Sequence, residues 1–208
     1  MKNHVDPKYF AWLNQITVSR QIDEILVVDI ATTCWEGEVP RGERKEIIEI
    51  AVCPLDVQTG RTAPTRSILV QPRFSTVSEY CEARTGLKAS DIMGGLTLSD
   101  ACILLEDEFL VRERVWASYG NTQRRRLKDD CGRKGARYPF GASHINIKTL
   151  VALIRALPRE IPLAESLQLF NQGRSNDRGI VARQAGTAGL LLGRVLLESR
   201  VKYVVGVN

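Results

Sequence analysis

The sequence predicts an α/β domain in which helices flank a mixed β-sheet. Three strand-like segments come first, in the order typical of an antiparallel meander, and a fourth strand then lies among helices. Residues 25–28 are continuously aliphatic, as in a strand that is buried on both faces. Residues 46–57 and 66–70 have strand composition, and Thr59-Gly60 between them supplies a turn.

The second half of the chain is predicted to be mainly helical. Ser78 and Gly86 are a typical start and end for a short helix, and Ser99 is a suitable N-cap for a helix over 100–110. The apolar residues of that second helix fall on one stripe, so we expect it to pack on the sheet. The remaining elements are a strand at 114–120 and helices at 122–132, 146–157, 163–170 and 179–200.

Length and composition indicate an ordinary globular protein. The 208 residues suit a single domain, predicted at 21–208, after an N-terminal arm at 1–20. No run of 18 apolar residues occurs, so we expect neither a membrane-spanning helix nor a membrane partner. The five cysteines are scattered and form no C-x-x-C pair, which favours a reducing, cytoplasmic location inside the cell and argues against zinc.

The charge is positive and unevenly distributed. The net charge of +5 is compatible with a polyanionic partner but does not require one. Seven Arg and Lys residues fall between 124 and 137, interrupted by two aspartates. This cluster is either a solvated helix face or part of a nucleic-acid site.

Asp29 is the first candidate site residue. It follows the aliphatic run of the first strand, near the carboxyl end, where open α/β sheets bind their ligands. A buried carboxylate there must be paired or bound to a metal ion. The next side chain on the same side of the strand belongs to Ala31. The polar loop at 35–45, which begins with Trp35, is predicted to overhang Asp29.

Five motif blocks occur in a characteristic order. They are V-V-D-I-x-x-T-C-W at 27–35, E-I-I-E-I at 46–50, Y-C-E-x-x-T-G-L at 80–87, W-A-S-Y-G at 116–120 and H-I-N-I-K-T-L at 144–150. In these blocks the chain resembles the DEDDh 3′–5′ exonucleases of the RNase T and DnaQ-like superfamily, in particular the RNA-trimming branch. The resemblance implies an RNase H-like fold, with a mixed five-stranded sheet flanked by helices. It also implies hydrolysis by two Mg²⁺ or Mn²⁺ ions held by carboxylates, with a histidine as general base.

The family's catalytic positions are mostly substituted in this chain. Asp29 keeps the first carboxylate, whereas Ala31, Asn121 and Ala182 replace the other three. Asp177 stands where the family has its histidine. The resemblance therefore implies a catalytically inactive homologue without a cofactor, with Mg or Mn needed only if it is active. Asp29 and Asp177 are then the residual catalytic carboxylates, and a weak metal site at Asp29 stays open as an alternative.

Without metal ions, binding of nucleic acid depends on cationic and aromatic side chains. Trp35 either stacks on a terminal base or closes a small core, and His144 is expected to order the loop before its helix. The predicted phosphate-binding residues are Arg124, Arg125, Arg174 and Arg178. The expected partner is single-stranded RNA or DNA, or a protein. An active exonuclease with an altered site and a structural scaffold subunit are the alternatives.

Overall fold

The computed structural model describes residues 22–205, which form one five-stranded sheet with helices on both faces. The strands are β1 (Glu24–Thr32), β2 (Ile47–Asp56), β3 (Arg66–Leu69), β4 (Val115–Ser118) and β5 (His144–Asn146), in the spatial order β3-β2-β1-β4-β5. The first three pair antiparallel, and β4 and β5 are parallel to β1. The predicted mixed five-stranded sheet and its meander are confirmed. The arm predicted at 1–20 lies outside the described residues.

Seven helices are found in this part of the chain. They are α1 (Glu79–Thr85), α2 (Ala89–Met93), α3 (Leu98–Phe109), α4 (Thr122–Lys134), α5 (Ile147–Ile154), α6 (Leu163–Leu169) and α7 (Ile180–Val205). The predicted caps of α1 are confirmed, because Ser78 accepts a hydrogen bond from the Cys81 N–H and Gly86 adopts a left-handed conformation.

The sheet separates two apolar cores, and β1 contributes to both. Ile25 and Val27 pack with α5, α6 and α7 on one face. Leu26 and Val28 pack with α3 and α4 on the other. All four side chains are almost completely buried, which explains why this strand is aliphatic at every position instead of at alternate positions. Asp29 follows the same alternation and lies on the α7 face.

The predicted start of α3 is wrong by two residues. Ser99 is not the N-cap, because Thr97 Oγ1 accepts a hydrogen bond from the Asp100 N–H at 3.1 Å. The helix therefore begins at Leu98, whose side chain is buried in the α3–α4 core. Thr97 and Ser99 are both suitable N-cap residues. Thr97 caps the helix, and this start allows the Leu98 side chain to be buried.

The sequence patterns missed two short elements. β5 has three residues, too few to show a period of two, and His144 in it was expected to lie in a loop. Instead, β5 pairs with β4 in parallel and completes the sheet. Helix α2 has five residues, and in the sequence it was not distinguishable from a connecting segment.

Helix α7 approaches the β2–β3 hairpin closely. Gly193 permits this contact, because a Cβ at that position would overlap the carbonyl oxygen of Gly60 in the turn. The segment Ile180–Ser199 of α7 is long and apolar enough to cross a membrane by length and composition, and it is the one such segment among residues 22–205. However, 61% of it is buried within the protein, as is typical of a core helix.

Candidate active site

Asp29 lines a cleft of about 180 Å³ between the sheet, α4 and α7. The lining residues come from the carboxyl half of β1, the residue after β4, the first turns of α4 and α6, and the exposed edge of α7. They are Val28, Asp29, Tyr119, Gln123, Leu163, Gln184 and Ala188. The cleft is thus located where the strand order predicts a ligand site, beside the carboxyl ends of β1 and β4.

The Asp29 carboxyl group is held in an environment that opposes its ionisation. Burial raises its pKa from 3.8 to about 6, and the negative charge of Glu49 adds to this. A hydrogen bond from Gln123 Nε2 to Oδ1, 2.8 Å long, acts in the opposite direction without cancelling the effect of burial. A substantial fraction of Asp29 is therefore protonated near pH 6.

Replacing Asp29 by asparagine is expected to stabilise the protein at pH 7.5 but hardly at pH 4. The folded-state pKa of about 6 lies above the unfolded value, so ionisation at neutral pH favours unfolding. Stability falls as the pH rises through the interval between the two values. The gain at pH 7.5 is expected to be about 1–3 kcal/mol, because one pKa unit corresponds to about 1.4 kcal/mol. The amide oxygen of the new asparagine still accepts the Gln123 hydrogen bond.

Thermal unfolding at pH 4 and pH 7.5 measures this difference. Asp107→Asn, at an exposed position of α3, is the control for removal of one aspartate. Equal melting temperatures of the Asp29→Asn and wild-type proteins at pH 7.5 would contradict the expectation that ionised Asp29 destabilises the folded protein.

Ala31 is buried, with 7% of its surface exposed, and it pairs directly with Glu49 on β2. Because directly paired residues share a face, Glu49 is a diagonal neighbour of Asp29. Glu49 is 2% exposed, Oε1 accepts a hydrogen bond from Ser67 Oγ at 2.5 Å, and Oε2 has no hydrogen-bond partner among residues 22–205. Burial raises the pKa of Glu49 despite the Ser67 bond.

Glu49 is the site residue that the sequence analysis missed. It belongs to the E-I-I-E-I block, and a carboxylate inside a buried apolar strand was the available signal. The acid next to Asp29 is thus supplied by the neighbouring strand, opposite the alanine that takes the family's glutamate position.

Ala182, which the sequence resemblance aligns with the family's last aspartate, is 2% exposed and belongs to the same apolar cluster as Ala31. It therefore packs as an apolar side chain between α7 and the sheet.

Asp177 is hydrogen-bonded to Thr65, in the segment before β3, and to the nearby Ser175. Its Oδ2 accepts hydrogen bonds from Thr65 Oγ1 at 2.7 Å and from Ser175 Oγ at 2.5 Å. Partial burial works against ionisation, but the Ser175 and Thr65 hydrogen bonds hold the pKa of Asp177 below its ordinary value. Asp177 is not among the residues that line the Asp29 cleft.

Asn121 occupies the N-cap position of α4 and is exposed, but its side chain makes no capping hydrogen bond. Its backbone carbonyl accepts the N–H of Arg125 at 3.1 Å. Asn121 is not among the residues that line the Asp29 cleft. The nearby Gln123, not Asn121, is the amide that binds Asp29.

The residues in this cleft do not fit a pair of divalent cations. Asp29 and Glu49 are the neighbouring acids, and one oxygen of each already accepts a hydrogen bond. Mg²⁺ and Mn²⁺ require several carboxylate or other oxygen ligands. Between residues 22 and 205, no group of three or more His, Cys, Asp and Glu side chains is arranged to hold a metal ion.

The predicted nucleic-acid-binding residues differ in their exposure. Arg125, Arg174 and Arg178 are exposed, whereas Arg124 and Trp35 are partly buried. Arg125 is carried by the first turn of α4, and the other two exposed arginines lie on the segment that leads into α7.

His144 makes contacts with residues of β4 that are typical of a structural role. Its Nε2 and Ser118 Oγ share a hydrogen bond of 2.8 Å, and its ring centroid is 4.2 Å from that of Trp116. Burial and then the positive charge of Arg124 lower its pKa to about 4, so the imidazole is neutral at physiological pH. The charge of Arg124, on α4, thus acts on the His144 imidazole.

Comparison with known proteins identifies exonucleases. The chain is 28% identical over 85 residues to the 3′–5′ exonuclease Snipper of Drosophila melanogaster, a match that covers 40% of this chain and 30% of Snipper. It is 32% identical over 82 residues to human ERI1 exoribonuclease 2, which covers 38% of this chain and 12% of the human protein. The matches thus span less than a third of either relative. No family model matches the chain.

Solved structures give a likeness over nearly the whole chain. The nuclease domain of 3′hExo, a DEDDh family member bound to rAMP, superposes with a TM-score of 0.73 at 21% identity, covering 86% of this chain and 93% of the other. The chain has an RNase H-like exonuclease fold. A full-length 3′-exonuclease gives a TM-score of 0.74 at 22% identity, with 86% and 84% coverage. In this fold Asp29 lies on the first strand of the sheet.

Proposed function

We propose that this protein is a 3′–5′ exonuclease homologue that binds the 3′ ends of single-stranded nucleic acid and hydrolyses them very slowly or not at all. The donor set of the cleft supports this proposal. Asp29 is the single carboxylate at the four family ligand positions, while Ala31, Asn121 and Ala182 occupy the others. The raised pKa of Asp29 further weakens it as a cation ligand.

The general base is a second deficiency. A positioned base contributes about 10²–10⁴-fold to the rate of such reactions. Asp177, at the family's histidine position, has its Oδ2 engaged by Thr65 and Ser175 and does not line the cleft. The loss of the base adds to the loss of the metal ligands, so the expected residual rate is small.

Binding of a strand end remains compatible with the cleft. Arg125 is exposed on α4, whose Gln123 lines the cleft, and Arg174 and Arg178 are exposed on the segment before α7, whose Gln184 lines it. A structural relative, with a TM-score of 0.70 at 21% identity over 88% of this chain and 84% of the other, recognises the 3′ end of the histone mRNA stem-loop. Cationic side chains would then provide the counter-charge that metal ions provide elsewhere, and binding would be sensitive to salt.

Parallel binding and cleavage assays test the proposal. A 5′-labelled single-stranded RNA and the matching DNA are incubated with the protein in Mg²⁺, in Mn²⁺ and in EDTA. We expect saturable binding that weakens as salt is raised, and no metal-dependent shortening above a protein-free control. Arg125→Gln is expected to reduce the salt slope by about one. Absence of binding to either strand would contradict the proposal.

Glu49 favours one alternative, an exonuclease with an altered site. Its buried Oε2 without a hydrogen-bond partner is an oxygen donor near Asp29. This alternative requires Mn²⁺-dependent shortening that both Asp29→Asn and Glu49→Gln abolish. Shortening that survives both substitutions would instead indicate a contaminating nuclease.

A further inference from the structure

Phe74 is an exposed aromatic side chain with two arginines close to its ring. It is 44% exposed, and its ring centroid lies 4.8 Å from Arg44 Cζ and 5.1 Å from Arg73 Cζ. Lys45 is exposed beside this group, and Arg133 Nη2 donates to the Lys45 carbonyl oxygen at 3.4 Å. We call these five residues the Phe74 platform.

The backbone beneath the platform is fixed by a buried carboxylate. Glu46 is completely buried, and its two oxygens accept the N–H groups of Arg73 at 2.9 Å and of Phe74 at 2.8 Å. Lys134 Nζ, itself buried, lies 2.9 Å from Glu46 Oε1 and compensates its charge. Arg73 and Phe74 are thus presented by a rigid support.

Two hydroxyl groups hold the backbone of Arg44 in place. Ser75 Oγ accepts the Arg44 N–H at 2.9 Å and also donates to the Arg44 carbonyl oxygen. Thr33 Oγ1 donates to the same carbonyl at 3.0 Å. Because both arginines start from fixed backbone, less conformational entropy is lost when their side chains bind a ligand.

We propose that the Phe74 platform binds single-stranded nucleic acid, namely the nucleotides that lie 5′ of the end held in the Asp29 cleft. The proposal rests on the proposed end binding for the direction of the strand. Aromatic rings and guanidinium planes stack on bases of any sequence, and the cationic groups attract phosphates. Two anions lie nearby: the Glu43 carboxylate is engaged by the N–H and hydroxyl of Thr76, and Asp130 Oδ1 lies 3.4 Å from Arg133 Nη2.

The position of the platform suits a strand that leaves the cleft. Thr33 follows Asp29 by four residues, which correspond to about 13 Å along a strand, and it touches Arg44 directly. A groove of about 530 Å³ begins at Arg73 and continues between Pro72, Met93 and Lys134. The cleft and the platform are therefore separated by a span of a few nucleotides.

Fluorescence anisotropy in EDTA with a series of 5′-labelled oligouridines of 4 to 14 nucleotides tests the platform. For the wild type we expect affinity to rise with length until the strand reaches the platform. Phe74→Ala is expected to weaken binding of the longest strand about 5- to 100-fold and leave that of the shortest unchanged. Arg44→Gln combined with Arg73→Gln is expected to lower the salt slope for the longest strand by about two.

The matched control is Arg61→Gln combined with Arg66→Gln, which removes the same charge from the other end of the β2–β3 hairpin. This variant should keep the wild-type length dependence, and far-ultraviolet circular dichroism verifies that all variants are folded. If every variant retains the wild-type affinity for the longest strand, the platform proposal is overturned while end binding stands. If the shortest strand loses as much affinity as the longest, the platform is not a separate contact and the proposal also fails. If no oligonucleotide binds the wild type, both proposals fail.

Discussion

Replacing Lys134 by methionine is expected to lower the free energy of unfolding by about 3–5 kcal/mol. Lys134 is 5% exposed, and its Nζ lies 2.9 Å from Glu46 Oε1 and 3.2 Å from Asp130 Oδ2. Both acids are buried, so without the ammonium group two carboxylates remain in a medium of low polarity with insufficient counter-charge. Methionine retains much of the side-chain volume, and the loss therefore reports the charge and not a cavity.

Urea unfolding at pH 7.5, with Arg133→Met as the control, measures this loss. Arg133 contacts the same Asp130 at 3.4 Å, but its side chain is 42% exposed, so a change of less than about 1 kcal/mol is expected. Adding Asp130→Asn to Lys134→Met should recover part of the stability, since the asparagine amide oxygen can still accept the Ile47 N–H bond that Asp130 Oδ2 accepts. An unchanged midpoint for Lys134→Met would show that the network contributes little.

The sequence patterns predicted the strands and helices that are long enough for their burial pattern to repeat along the chain. β1 and β2 are mostly apolar because helices cover both faces of the sheet, and strands of nine and ten residues are long enough for this pattern to be recognised. β5 is only three residues long and is defined by its hydrogen bonds to β4, which no local pattern encodes. The start of α3 depended on which of two capping residues allows Leu98 to be buried, a tertiary effect.

The candidate site was predictable where it depends on one strand alone. The side-chain alternation placed Asp29 and Ala31 on the same face, and the structure agrees. Glu49 was missed because its position opposite Ala31 requires the register of β1 against β2, next to an irregularity between Ala31 and Thr32. The contacts of Asp177 with Thr65 join residues 112 positions apart and are equally invisible in the sequence.

Asp29 and its diagonal neighbour Glu49 are each held by a hydrogen bond from a neutral side chain. Glu49 is anchored by Ser67 on β3, so one of its oxygens is directed away from Asp29 toward the neighbouring strand. Asp29 is in turn held by Gln123. Each carboxylate thus accepts a hydrogen bond from a neutral donor, and Ala31 and Ala182 pack in the apolar core.

Restoring the family residues is expected to create metal-dependent exonuclease activity at least about 10²-fold above the unaltered chain. The variant carries Ala31→Glu, Asn121→Asp, Asp177→His and Ala182→Asp, which returns three carboxylates and a base to the scaffold. The measurement is the shortening of a 5′-labelled single-stranded RNA in Mg²⁺ or Mn²⁺. The same variant with Asp29→Asn is the control and should lose most of the gain.

Stability provides a second readout of the same variant. Ala31 and Ala182 are 7% and 2% exposed, so the new carboxylates enter a buried region that already contains Asp29 and Glu49. Their mutual repulsion should lower the melting temperature in EDTA, and Mn²⁺ should restore it by binding to the folded state. A triple variant that keeps Asp177, and with it the Thr65 and Ser175 hydrogen bonds, separates the effect of the base from that of the ligands. If the unaltered chain degrades RNA as fast as the restored one, the four substitutions are not what limits catalysis, and the proposed impairment is wrong.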